Sequence, residues 1–146
     1  MSPAHVAASR VRHVSDSRED LEREWAFLGR TADPLVRELL ALDDPWEAYE
    51  RGNHLSDLMT DTELGGSFEL PHAGSIYVAW AELTDVYETG VTPIADAHAA
   101  LRLAATRWLD RPAEPSARFI EEWATDARRT AGELFARDGD WWNRPG

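Results

Sequence analysis

Glu50, His54, Asp57 and Asp61 fall at i, i+4, i+7 and i+11. At about 100° per residue in an α-helix, these positions share one narrow arc, opposite the apolar arc of Ala48, Gly52, Leu55 and Met59. Carboxylate oxygens and a neutral imidazole suit Zn, Mn or Fe, and i, i+4 spacing can bring two ligands to one ion. His54 with Asp57 also suits a general base held by a carboxylate. A metal needs three or four ligands from more than one element. His72, or Asp96 and His98, would complete the shell only if the fold brought them near. The solvated face of an amphipathic helix in an acidic protein accounts for the same stripe with fewer assumptions.

Other residues could carry function without a catalytic signature. His72 stands between Pro71 and Ala73 at an expected helix entrance, where an imidazole serves as a cap, a loop residue or an acid–base group. Glu82 and Asp85, with Glu88, make a second acidic cluster suited to a basic partner. If that helix is covered on both faces, each carboxylate needs an arginine. Trp141 and Trp142 follow the last helical pattern and either fold back on a core edge or anchor an interface.

The residue inventory removes several chemistries. The 146 residues contain no Cys, so disulfides, thiolate metal sites and cysteine nucleophiles are excluded. All 15 basic residues are Arg, which excludes Schiff-base catalysis and a Walker lysine. Gly65-Gly66-Ser67 therefore makes no phosphate loop, and no Gly-x-Ser-x-Gly elbow occurs. No cofactor is called for, apart from the divalent metal that the polar stripe would allow. A formal charge of −12 disfavours direct nucleic-acid binding and favours a basic protein partner. No apolar run approaches the roughly 20 residues of a membrane span and no signal core opens the chain, so the expected location is the cytoplasm.

The elements that must position these residues read as helices. Ser17 caps a first helix carrying Leu21, Trp25 and Leu28 to about Gly29. Asp33-Pro34, Asp44-Pro45 and Thr92-Pro93 each place a capping side chain before a proline suited to the first helical turn, and each predicts a helix start. The second helix buries Leu35, Val36, Leu39 and Leu40, and the third carries the polar stripe, with Tyr49 at the edge of its apolar face. A fourth, about Ala73 to Thr89, aligns Ile76, Trp80, Leu83 and Tyr87. A fifth aligns Ile94, Ala97, Leu101, Ala104, Ala105 and Trp108, and a sixth, capped by Ser116, aligns Phe119, Ile120, Trp123, Ala127 and Leu134 to Gly139.

The expected fold is all-α: a compact, bundle-like domain of about six helices over residues 16–139. It has a loose N-terminal arm (1–15), a long loop (about 60–75) and a Trp-containing tail (140–146). The expected function is a non-catalytic acidic binding module, an adaptor, regulator or inhibitor of a basic protein. The alternatives are a small metal-binding protein or enzyme using the stripe, and a subunit of a homo-oligomer using exposed Leu103 or the tail tryptophans.

Overall fold

A computed structural model describes the backbone of residues 3–60, 72–89 and 94–139, and the side chains of residues 18–58, 72–88 and 94–136. Five α-helices occur among the described residues: α1 (Pro3–Ala41), α2 (Pro45–Thr60), α3 (Ala73–Asp85), α4 (Ile94–Leu109) and α5 (Ala117–Gly139). A 3-10 turn, Val86–Thr89, extends α3. No strand is present among these residues, in agreement with the all-α reading. Residues 61–71 of the long loop, Thr92-Pro93 and the tail lie outside the described residues.

The helix start expected at Asp33-Pro34 is corrected: α1 runs through it without a break. Proline in a helix interior removes one donor and crowds the preceding turn, at a cost of about 3 kcal/mol. Two observations explain why the helix continues. Trp25, Leu28, Ala32, Val36 and Leu39 keep one helical phase across Pro34 and are all buried, so a break would pull half the stripe out of the core. Asp33, meanwhile, does not cap. It is 7% exposed, and its carboxylate accepts the Trp108 indole N–H at 3.0 Å and an Arg111 N–H at 2.9 Å. Pro34 itself faces water. Among the described residues the core begins at Trp25, consistent with an arm preceding the packed body, and the backbone is helical from Pro3 onward.

The helix start expected at Ser17 and the end expected near Gly29 are corrected likewise, since both positions lie inside α1, whose backbone continues from Pro3 to Ala41. The caps at Asp44 and Ser116 behave as their chemistry predicts. Asp44 Oδ2 accepts the Glu47 N–H at 3.0 Å, and Ser116 Oγ accepts the Phe119 N–H at 3.1 Å. One connected apolar core joins all five helices, with Trp80, Trp108 and Trp123 fully enclosed. Helix α3 packs against α2, α4 and α5, the central position its continuous apolar stripe implied.

The approach of α2 to α3 is set at Gly52, where a Cβ would lie 2.3 Å from Thr84 Cγ2. Thr84 is buried and its hydroxyl donates to the Trp80 and Ala81 carbonyls, so it has little room to move. Gly52→Ala should therefore destabilise the fold by about 1–3 kcal/mol by overpacking, although alanine is the better helix former. Adding Thr84→Ser, which removes the clashing methyl and keeps the hydroxyl, should recover part of that loss in denaturant titrations. Asp33→Ala should cost about 3–5 kcal/mol by leaving Arg111 buried and unpaired, read in the same assay.

Candidate functional site

The cap at Asp44 starts α2 so that Trp46, Tyr49 and Asn53, at i, i+3 and i+7, share one face. At the far end of α3 the 3-10 turn brings Tyr87 and Glu88 onto that face. Tyr49 and Tyr87 stack with centroids 5.2 Å apart and planes 25° apart. Trp46 stands edge-on to Tyr49 at 6.0 Å and lies 6.2 Å from Tyr87. The Tyr49 hydroxyl donates to Glu88 Oε1 at 2.6 Å, tying the two helices together at the surface. Tyr87 is 3% exposed, Tyr49 is half-buried and Trp46 is 55% exposed, so the three rings run from the core out to a tryptophan that faces water.

Negative charge surrounds this group. Asp85 and Glu88 carry no ion pair with any described residue, while Glu82, one turn before, is paired with Arg128 at 3.3 Å. Partial burial, then the neighbouring Glu88 and Glu82 charges, hold the Asp85 carboxyl above its usual range. The hydrogen bond to Glu88 raises the Tyr49 phenol, and burial raises that of Tyr87, whose hydroxyl has no hydrogen-bond partner among the described residues. Beside the aromatic face lies an open hollow lined by Leu42, Glu47, Glu50, Arg51, Asn53 and His54. Aromatic rings and carboxylates without ion pairs among the described residues form a surface suited to cations, and the adjoining hollow adds Glu47 and Glu50 beside one arginine, Arg51. No known protein family, curated protein or solved structure matches this chain.

The polar stripe lies beside this corner on α2. Glu50, His54 and Asp57 are all exposed; Glu50 and His54 line the hollow, and Arg51 Nη1 lies 3.3 Å from His54 Nδ1. Asp61 lies outside the described residues. Among those described, no group of three or more His, Asp or Glu side chains gathers in a way that could hold a metal. His72 binds Glu24 and not the stripe, and Asp96 and His98 are on α4, where His98 is half-buried with Nε2 unpartnered among the described residues. Of the residues expected to bind a partner, Asp85 belongs to the aromatic corner and Glu82 is paired with Arg128, while Trp141 and Trp142 lie outside the described residues. Leu103 is 56% exposed on α4, beside a shallow crease against α5.

Sequence reasoning missed Trp46. The Trp46-x-x-Tyr49 spacing is visible in the sequence, but Tyr87 comes from another element and its own stripe points to the core. It also missed Glu24, which sits in a charged run and reads as surface. In the structure Glu24 is 1% exposed: it accepts the His72 backbone N–H at 3.1 and 3.3 Å and pairs with His72 Nδ1 at 2.8 Å. This ties α1 to the N-terminus of α3. Loss of hydration raises the Glu24 pKa above 4.5, outweighing the hydrogen bonds and charge of His72, which act to lower it.

A raised carboxyl pKa means that the folded state holds its proton more tightly than the unfolded state. The stabilising contribution is complete below pH 4.5 and is lost as pH rises through the folded value. Glu24→Gln stays neutral and keeps an acceptor for the His72 N–H. The stability of Glu24→Gln minus that of the native chain should therefore grow as pH rises above about 4.5, followed by urea unfolding at each pH. A gap that shrinks over this range would mean the pair with His72 dominates burial.

Proposed function

We propose that this chain is a non-catalytic binding module that captures a basic protein partner, and that the corner formed by Trp46, Tyr49, Tyr87, Asp85 and Glu88 is its contact surface. The observation that carries this reading is Trp46, more than half exposed against a half-buried Tyr49 and a buried Tyr87, beside two carboxylates without ion pairs among the described residues. Large exposed aromatics are over-represented as anchors of protein interfaces, and carboxylates around them choose a cationic partner and speed its approach. The formal charge of −12 extends the same preference over longer range. Glu47 and Glu50 in the neighbouring hollow would receive further basic residues of the same partner.

The test separates this corner from diffuse negative charge. A mixed Lys/Arg peptide is titrated by calorimetry into the native chain, into Asp85→Asn/Glu88→Gln, and into Glu121→Gln/Glu122→Gln, which removes two exposed charges from α5. The corner variant should bind about tenfold more weakly, about 1.4 kcal/mol, and the α5 variant should bind nearly as the native chain does. Affinity should fall with added salt in all three. Equal losses from the two double variants would remove the corner as the contact surface.

A further inference from the structure

Within its own core this chain holds one arginine in a defined way. The Arg111 guanidinium lies 5.2 Å from the Trp25 ring centroid and 4.6 Å from that of Trp108, and it donates to Asp33 Oδ2 at 2.9 Å. The surface corner presents the same grouping to solvent. Trp46 is open, Tyr49 is stacked on Tyr87, and the Tyr49 hydroxyl holds Glu88 beside the rings at 2.6 Å through one carboxylate oxygen. The other oxygen, Oε2, accepts no hydrogen bond from a described residue, and Asp85 acts on the same Tyr49 phenol from one turn earlier. Rings and a carboxylate presented together favour a planar, weakly hydrated cation that can stack and donate at once. A guanidinium does both, whereas an ammonium is a strongly hydrated point charge.

Resting on the basic-partner reading above, we infer that this corner recognises an arginine side chain of the partner, stacked against Trp46 with its N–H groups on Glu88, in preference to lysine. The occupant is a peptide cation and not a nucleic acid or an anionic membrane, because the carboxylates here repel phosphate. Arginine supplies both halves of the contact from one side chain, so specificity rests on Trp46 and Glu88 together. Removing charge alone weakens every basic ligand; removing Trp46 erases the difference between arginine and lysine.

Two peptides of equal length and charge, one an Arg-Gly repeat and the other a Lys-Gly repeat, are titrated into the full chain at one fixed ionic strength. The arginine peptide should bind about tenfold more tightly. In Trp46→Ala the ratio should fall to about one while affinity for the lysine peptide changes less than about twofold, and Glu88→Gln should also reduce the arginine preference. Because Trp46 is more than half exposed, Trp46→Ala should melt near the native temperature. Equal affinities for the two peptides, or an arginine preference that survives Trp46→Ala, would overturn the inference and leave the basic-partner reading standing. Failure of both peptides to bind would overturn both. If Arg144→Gln tightened binding of the arginine peptide, the chain's own C-terminal segment would be the occupant, and assignment to a partner would fall.

Discussion

The buried pair between Asp33 and Arg111 constrains more of this structure than any other contact. A carboxylate and a guanidinium taken out of water are costly unless they are paired and hydrogen-bonded, and here Arg111 Nε stays buried without a partner among the described residues. Asp33 receives Trp108 and Arg111, and Arg111 also donates to the Trp108 carbonyl at 3.1 Å. These contacts lock the end of α4 and its connector onto the middle of α1. Aromatic packing then carries the order onward, with Trp108 against Trp123 at 4.9 Å and Trp123 against Trp80 at 5.0 Å, both tilted, and Phe119 between Trp108 and Trp25, so that α1, α4, α5 and α3 share one cluster of large rings. The Trp123 indole donates to the Ala104 carbonyl at 3.0 Å, which satisfies the polar atom of this enclosed ring.

The surface corner depends on this frame. Gly52 meets Thr84, and Tyr49, one turn earlier on α2, meets Tyr87 in the 3-10 turn that extends α3, so the two helices run antiparallel in close contact. A side chain at position 52 would spread them at the point nearest the tyrosine stack. The chain thus uses aromatic rings with a carboxylate twice. In the core the grouping is closed by its own Arg111, where it stabilises. On the surface it is open beside two acidic groups, where the same physics favours an incoming cation.

Much of the helical layout was legible because it is local. The caps at Asp44 and Ser116, and the stripes from Ile76 to Tyr87, Ala97 to Trp108 and Ile120 to Leu134, all follow from spacing and from the free N–H groups of a helix start. Asp33-Pro34 misled for a definable reason. Its local chemistry is that of a helix start, but its carboxylate is engaged by Trp108 and Arg111, which lie 75 and 78 residues away in sequence. Glu24 was illegible for the same cause: a carboxylate in a charged run reads as surface until another helix arrives over it.

The sequence by itself determined an all-helical chain with strong negative charge and no thiol or lysine chemistry, since composition, periodicity and capping act within a few residues. Only the tertiary structure decided which carboxylates would be buried, which would find an arginine, and which would stay uncompensated. It also decided that Trp46 would stand exposed against tyrosines from two helices. The reason is physical: burial and pairing are properties of distance in space, and the helical spacing that places Trp46 near Tyr49 carries no information about when Tyr87 and Glu88 arrive beside them.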